Sequence, residues 1–319
     1  MVLLRIRSDS GATGLGEAVP LSLRGGAGLD HVVNELRAWG RIATEGEQIP
    51  SATGMSAPAR VATEMALSDA EAREREVPLH ELLVPGSLAR PVPCNATLTS
   101  GTPDEMLAQA EAWAIDGFTV FKLKLGTGEE AAQVEAIRST LGTAMKIRID
   151  ANGSWSIAEA TTILKAIEPF GIELAEQPVL GLEAMAELAG STSIPLVADE
   201  DVFDESTARH ADEINACQAV TVKLSKIGTL DANLGGSLPT YLSSALDGPV
   251  GIAAAAQVAQ TLEADGPWAG VAHGLATERL FSATIAEQGP LLDGPELPVP
   301  SGNGLGITID ERALEAHRL

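Results

Sequence analysis

The chain has 319 residues, and its 21 Lys and Arg against 44 Asp and Glu give a formal net charge of −23. A surface this acidic repels phosphates and anionic lipid, which excludes non-specific binding to nucleic acid or to a membrane. The hydrophobic fraction of 45% is too high for a disordered acidic chain, so we expect a folded core. Aromatic residues are only 3% of the chain, which leaves Ala, Leu, Val and Ile to build that core.

The sequence pattern contains no recognisable targeting or membrane segment. Cys94 and Cys217 lie far apart without metal-ligand spacing, which favours a reducing cytosol. Arg5 and Arg7 interrupt the N-terminal apolar run, and no stretch approaches the roughly 20 apolar residues of a membrane span. We expect a cytoplasmic protein, either a monomer or a homo-oligomer.

The N-terminal part predicts a small α+β unit. Two strands joined by a turn at Ser10 and Gly11 precede helices near residues 29–40 and 56–76. The glycines at 25, 26 and 28 lack the GxGxxG spacing, which disfavours a phosphate-binding loop. We interpret residues 24–28 as a glycine-hinged lid.

From about residue 91 the pattern changes to short strands that alternate with helices. Eight such units in about 200 residues predict a closed (β/α)8 barrel, with an open doubly wound sheet as the alternative. The candidate strands are residues 91–98, 118–125, 145–152, 172–178, 194–201, 219–226, 239–246 and 268–277.

Ionisable residues recur at the ends of five consecutive predicted strands. They are 23 to 26 residues apart, which is the length of one βα unit, and they are Lys124, Asp150, Glu176, Asp199 and Lys223. In a barrel, equivalent positions at strand ends meet at the mouth, where the active sites of this fold are found. The spacing therefore predicts one charged cluster.

Three carboxylates on neighbouring strands repel one another unless a counter-charge holds them together. Asp150, Glu176 and Asp199 thus predict a site for a hard divalent cation such as Mg²⁺ or Mn²⁺. The alternative is that each carboxylate caps a helix or pairs with a lysine.

The lysines predict amines on both sides of the bound substrate. Lys122 and Lys124 are two residues apart in one strand and so share a face, whereas Lys223 comes from the far side of the carboxylates. Crowding with other cations lowers the pKa of at least one lysine, so that it can act as a base near neutral pH.

Seven runs of the sequence form a recognisable set: GLGEAVPL, FKLKLG, RIDANGSW, ELAEQP, VADED, VTVKLSKIG and GNGLGITID. Together they resemble the enolase superfamily, in its muconate-lactonizing-enzyme subgroup. The resemblance implies an α/β fold, a modified (β/α)8 TIM barrel under an α+β capping domain formed from both termini. We assign residues 1–89 and 296–319 to that capping domain, and residues 90–295 to the catalytic barrel.

The resemblance also implies the chemistry of the site. A Mg²⁺ ion held by Asp150, Glu176 and Asp199 stabilises the enediolate formed when a lysine removes the proton α to a carboxylate. Lys124 and Lys223 match the two catalytic lysines of the family. A small carboxylate is the implied substrate, and we expect Lys122 to help bind it, together with the metal ion, Lys124 and Lys223.

Within the subgroup, the segment SSALDGPVGIAAA resembles o-succinylbenzoate synthases, which dehydrate 2-succinyl-6-hydroxy-2,4-cyclohexadiene-1-carboxylate in menaquinone biosynthesis. In that reaction Lys124 is the base and Lys223 stabilises the enediolate. Ser243 and Ser244 are candidates to line the succinyl pocket, and Arg148 either orients a carboxylate or forms a salt bridge.

Other functions remain open at this point. N-acylamino-acid racemases, dipeptide epimerases and muconate cycloisomerases use the same two lysines. A Schiff-base aldolase needs a lysine nucleophile but no metal, and a non-enzymatic barrel needs neither.

Overall fold

A computed structural model of the chain describes residues 1–20, 22, 26–46, 48–234, 238–262, 268–289 and 291–318. Residues 24 and 25 of the predicted lid lie outside these ranges. Within the described residues, no helix is both long enough and apolar enough to cross a bilayer.

The N-terminal part begins with an antiparallel hairpin of β1 (Val2–Arg7) and β2 (Thr13–Ala18), which packs on a helix. A Cβ on Gly14 or Gly16 would lie 1.9 Å from a backbone oxygen of that helix, so the glycines allow the close approach. The helices of this part are α1 (Leu29–Glu45), α2 (Ala57–Glu74), which receives the hairpin, and α3 (Leu79–Leu83).

A parallel sheet forms the barrel, which confirms the predicted fold class. A two-residue strand, β3 (Val92–Pro93), leads into it. Seven strands then pair in chain order from the first to the last. They are β4 (Ala96–Leu98), β5 (Val120–Lys124), β6 (Lys146–Asp150), β7 (Ile172–Glu176), β8 (Leu196–Ala198), β9 (Ala219–Val222) and β10 (Thr240–Leu242).

The eighth predicted strand, residues 268–277, is much shorter in the structure than in the prediction. Only two parallel bridges mark it, from His273 to Cys94 and from Gly274 to Ser243. A Cβ on Gly274 would lie 2.6 Å from the Ser243 hydroxyl, so glycine permits this close approach to Ser243. The barrel is therefore closed by two bridges rather than by a regular eighth strand.

Helices follow the strands and cover the outside of the sheet. Apolar side chains such as Phe121 and Ile149 belong to the core, whereas the alternating positions carry charged side chains. The helices are α4 (Pro103–Ile115), α5 (Glu130–Leu141), α6 (Ile157–Ile167), α7 (Leu182–Ala189), α8 (Glu205–Glu213), α9 (Leu224–Ile227) and α10 (Pro249–Val258). Residues 224–226 were predicted as strand and form α9 instead.

The C-terminal residues return to the N-terminal part. The strands β11 (Ala286–Gln288) and β13 (Thr308–Ile309) pair together, β12 (Glu296–Leu297) pairs with β3, and α11 (Glu311–Ala316) follows. The buried Asp69 carboxylate accepts hydrogen bonds from the amides of Leu15 and Leu305, at 2.9 and 2.7 Å. One side chain thus connects the hairpin, α2 and the C-terminal segment.

Glu17, at the end of β2, connects the hairpin to the barrel. Its buried carboxylate accepts hydrogen bonds from the amides of Gly248 and Gly251, at 2.5 and 3.4 Å, at the start of α10. Burial, and then the nearby Asp247, raise the pKa of Glu17 to about 7 although these amides lower it. The Glu17 carboxyl group is therefore protonated in the folded protein over a pH range in which the same group is ionised in the unfolded chain.

We predict that, because of Glu17, the free energy of unfolding falls as the pH rises from 4.5 to 7. Over this range the folded protein keeps a proton that the unfolded chain releases, and the shift corresponds to about 3 kcal/mol. Glu17→Gln should flatten this part of the curve of unfolding free energy against pH, measured by urea titration. Glu111→Gln, an exposed control, should leave the slope unchanged, and equal slopes for Glu17→Gln and the native protein would contradict the prediction.

Candidate active site

The three predicted carboxylates lie side by side at the ends of adjacent strands. Asp150 and Glu176 are register partners at the ends of β6 and β7, and Asp199 follows the last residue of β8. All three side chains have no exposed surface. Period-two alternation in these strands places the acids on the face opposite the apolar residues that pack under the helices.

Two lysines of β5 lie against the first two carboxylates. The Lys122 ammonium donates to both oxygens of Glu176, at 3.0 and 3.2 Å, and lies 3.3 Å from Asp150. The Lys124 ammonium donates to Asp150 at 2.5 Å. These contacts supply the counter-charge that a buried carboxylate needs.

Asp199 has two lysines of its own. Lys223, directly after β9, donates to its Oδ2, and Lys226 of α9 donates to its Oδ1 at 2.8 Å and to its carbonyl oxygen. Lys226 was not singled out from the sequence, although it lies in the quoted run VTVKLSKIG. The row of carboxylates thus has lysines at both ends.

The two predicted catalytic lysines have opposite pKa shifts. Burial, followed by the charge of Lys122, lowers the pKa of Lys124. Burial also acts to lower the pKa of Lys223, but Asp199 and Glu176 outweigh it and raise the pKa. Lys124 is therefore the lysine that loses its proton more readily.

Asp150 and Asp199 remain ionised despite their burial. Burial alone raises the pKa of a carboxyl group, but Lys122 and Lys124 outweigh it at Asp150. Lys223 and Lys226 do the same at Asp199, so the pKa values of both acids fall well below their usual range.

Asn152 is a site residue that the sequence reasoning missed. Its backbone amide donates to Asp150, its side-chain oxygen accepts from Lys124, and its side-chain amide donates to Glu200, at 3.0, 3.0 and 3.1 Å. Its φ of +47° is a left-handed conformation that Asn tolerates better than most residues. Its place two residues after Asp150, in the run DAN, is the signal that could have identified it.

Gln177 is a second such residue, directly after Glu176. Its side-chain oxygen accepts from the amide of Asp199 at 2.8 Å, and its side-chain amide donates to Asp201 at 2.5 Å. Asp201 also accepts from the amide of Gly181 at 2.7 Å. Gln177 thereby fixes the loop that carries the third carboxylate.

Tyr241 of β10 contacts the row from inside the barrel. Its hydroxyl donates to Glu176 Oε2 at 2.6 Å, and the side chain is fully buried. No pattern in the sequence pointed to it.

The three remaining sequence candidates have partners within the protein. Arg148 is fully buried and donates to Glu173 and to the Ala272 carbonyl, both at 2.6 Å, so the salt bridge left open by the sequence is present. Ser244 donates to Asp247 at 2.9 Å, and Ser243 is buried. A contact of any of the three with substrate stays a prediction.

The N-terminal part supports the segment that carries Lys223. Arg60 of α2 donates to the carbonyl oxygens of Gly228 and Ile227, at 2.9 and 2.8 Å. A cation suits these positions because the carbonyl groups at a helix C-terminus carry partial negative charge. This contact fixes α9 directly after the lysine.

The donor set fits a hard divalent cation. Three carboxylates with hard oxygen donors lie on adjacent strands, with Asn152 beside them, and their burial demands positive charge. Among the described residues no three such side chains are placed to hold a metal ion as they stand. Lysine ammonium groups lie on the carboxylate oxygens instead, so a bound cation would have to replace some of these contacts.

Comparison with known proteins gives concordant matches. Residues 105–313 match the family described as enolase C-terminal domain-like. The o-succinylbenzoate synthase of Thermobifida fusca (strain YX) is 33% identical over 228 residues, 69% of this chain and 68% of that protein. The L-Ala-D/L-Glu epimerase of Bacillus subtilis (strain 168) is 32% identical over 244 residues, 71% of this chain and 66% of that protein.

A solved structure extends the likeness to nearly the whole chain. The dipeptide epimerase from Enterococcus faecalis V583, complexed with Mg and the dipeptide L-Leu-L-Tyr, superposes with a TM-score of 0.86 at 25% identity. The superposition covers 96% of this chain and 91% of that one.

We predict that the Lys122–Glu176 pair is strongly coupled. Lys122→Met leaves a buried carboxylate without its ammonium partner and should cost about 3–5 kcal/mol of unfolding free energy, measured by urea titration in EDTA. The double variant Lys122→Met/Glu176→Gln should recover most of this loss. Lys165→Met, on an exposed face of α6, should change stability by less than about 0.5 kcal/mol. A single variant as stable as that control would contradict the prediction.

Proposed function

The chain belongs to the enolase C-terminal domain-like family, and from that premise we propose that it is a carbon–oxygen lyase of the o-succinylbenzoate synthase type, dependent on Mg²⁺ or Mn²⁺. The proposed substrate is 2-succinyl-6-hydroxy-2,4-cyclohexadiene-1-carboxylate, and the proposed pathway is menaquinone biosynthesis. Thermobifida fusca o-succinylbenzoate synthase, among the relatives that the chain matches, supports this choice.

The observation that carries the proposal is the row of three buried carboxylates with a lysine at each end. Lys124 lies on Asp150 at one end, and Lys223 lies on Asp199 at the other. A substrate carboxylate bound at the row therefore has one amine on each side. Charge stabilisation of that carboxylate is the chemistry that a divalent cation held by the three acids supplies when bound.

In the proposed reaction Lys124 does the proton transfers. As a neutral amine it takes the proton from the ring carbon that bears the carboxylate, and the C–H electron pair enters the enediolate. The enediolate electrons then form the C=C bond that completes the aromatic ring as the C–O bond breaks, and the Lys124 ammonium protonates the departing hydroxyl, which leaves as water. Lys124 ends as the neutral amine, so the cycle needs no other acid or base.

In this reaction Lys223 contributes charge rather than proton transfer. Its side chain lies at the opposite end of the row from Lys124 and is 15% exposed. A fixed positive charge there stabilises the negative charge that develops on the substrate carboxylate. The pKa of Lys124, which burial and then the charge of Lys122 lower, supports its role as the base.

The alternative to the lyase is an N-acylamino-acid racemase, a dipeptide epimerase or a muconate cycloisomerase that uses the same two lysines. A racemase or epimerase needs a base on each face of the substrate, whereas elimination from one face needs one. A dipeptide also carries an ammonium group that calls for a carboxylate partner, and residues 272–277, which close the barrel, contain none. Asp247 nearby accepts hydrogen bonds from Ser244 and from the amide of Ala245. This difference favours the lyase over a dipeptide epimerase.

We keep Ser243 and Ser244 as candidates to bind the succinyl end of the substrate. Both directly follow β10, at the end of the sheet where Lys223 follows β9. Ser244 would have to share its hydroxyl between the substrate and Asp247, because it already donates to that carboxylate.

Turnover distinguishes these functions directly. Purified protein with Mg²⁺ should convert the cyclohexadiene acid to its aromatic product, followed by ultraviolet absorbance, and EDTA should abolish the reaction. The same preparation should be tested with an N-succinyl amino acid and with dipeptides, by exchange of the α-proton for solvent deuterium. Turnover of these compounds without turnover of the cyclohexadiene acid would overturn the proposal in favour of a racemase or epimerase.

We predict that arginine replaces Lys223 better than it replaces Lys124. Arginine stays protonated, so it supplies charge but cannot act as a base near neutral pH. Lys124→Arg should lower kcat by at least about 10³-fold, whereas Lys223→Arg should retain at least about 10-fold more activity than Lys124→Arg. Equal loss in the two variants would contradict the assigned roles and indicate that both lysines act as bases.

A further inference from the structure

Tyr241 is the only tyrosine of the chain, and the proposed reaction does not use it. It lies in β10, paired in register with Thr221 of β9, and its side chain is fully buried inside the barrel. Its hydroxyl reaches Glu176, the middle carboxylate of the row, at 2.6 Å. A buried phenol needs a hydrogen-bond partner, and here the partner is a predicted metal ligand.

Packing against neighbouring apolar side chains fixes the ring of Tyr241. It forms a small cluster with Leu174, Val197 and Ala219 on the interior of the barrel. The guanidinium of Arg148 lies 5.5 Å from the ring centre, and Arg148 is itself held by Glu173 at 2.6 Å. The hydroxyl is therefore held in one direction, toward Glu176.

The Tyr241 hydroxyl and the Lys122 ammonium group differ in how they contact Glu176. Lys122 donates to both oxygens, but it is a cation, and a metal ion bound at the row competes with it for them. The phenol is neutral and donates from the side of the barrel interior. A carboxylate offers about four lone pairs, so the phenol leaves others free for a cation.

We propose that Tyr241 is a positioning residue for the metal ion, acting through Glu176. The phenol orients the Glu176 carboxylate so that its remaining lone pairs face the other two acids, and it holds this orientation when the metal weakens the contact with Lys122. This inference rests on the proposed function, because it requires a divalent cation at the row. Hydrogen bonds that orient metal ligands typically contribute about 10- to 100-fold in metal affinity.

Tyr241→Phe removes the hydroxyl and keeps the ring, and Thr221→Val is the matched control. Thr221 lies beside Tyr241, and among the described residues its buried hydroxyl has no hydrogen-bond partner. Mg²⁺ affinity of the full-length protein should be measured by calorimetry. Tyr241→Phe should bind Mg²⁺ about 10-fold or more weakly, while Thr221→Val should bind within about 2-fold of the native protein.

Kinetics separate positioning from a purely structural role. The Mg²⁺ concentration for half-maximal activity should rise in Tyr241→Phe by the same factor as the Kd, while the KM for substrate at saturating Mg²⁺ stays within about 2-fold. Native Mg²⁺ affinity in Tyr241→Phe would overturn the inference, even if the variant is less stable.

A second measurement on the native protein does not depend on the variant. With tyrosine labelled at ¹³Cζ the chain gives one signal, and this signal should shift during a Mg²⁺ titration with the midpoint found by calorimetry. An unmoved signal despite Mg²⁺ binding overturns the inference about Tyr241. Failure of the native protein to bind Mg²⁺ overturns both this inference and the metal-dependent function, whereas binding without turnover of the cyclohexadiene acid overturns the lyase alone.

Discussion

The burial of three carboxylates in one row is the constraint on which the rest of the site depends. Asp150, Glu176 and Asp199 have no contact with solvent, so their charges must be balanced inside the protein. Four lysines provide that balance, two from β5, one directly after β9 and one from α9. The proposed divalent cation would bring the charge that the carboxylates attract, and an anionic substrate would bring the charge that the lysines attract.

The surrounding fold fixes the two ends of this row. Arg60 of the N-terminal part holds α9 directly after Lys223, and Glu17 binds the start of α10 after β10. At the other end, Asn152 connects Asp150 to Lys124. The net charge of −23 is a property of the whole chain, whereas the site contains a local cluster of lysines that would attract the proposed carboxylate substrate.

The sequence predicted the charged cluster because strand spacing and period-two alternation are local properties. Tyr241 and Lys226 were missed, since their contacts with Glu176 and Asp199 depend on how strands far apart in the chain meet. The eighth strand was predicted too long because an apolar run does not show where hydrogen bonding ends. The boundaries of the capping domain at residues 89 and 296 stay a prediction. The pairing of β12 with β3 joins a strand that we assigned to the capping domain to a strand that we assigned to the barrel.

The central claim is that the three carboxylates bind one divalent cation in place of lysine contacts. A crystal structure of the protein with Mn²⁺, with anomalous diffraction recorded at the manganese absorption edge, tests it most directly. We expect one anomalous peak in ligand contact with Asp150, Glu176 and Asp199, with the ammonium groups of Lys124 and Lys223 moved off the carboxylate oxygens that the ion occupies. Lysines still bound to all three carboxylates, with no peak between them at saturating Mn²⁺, would contradict it.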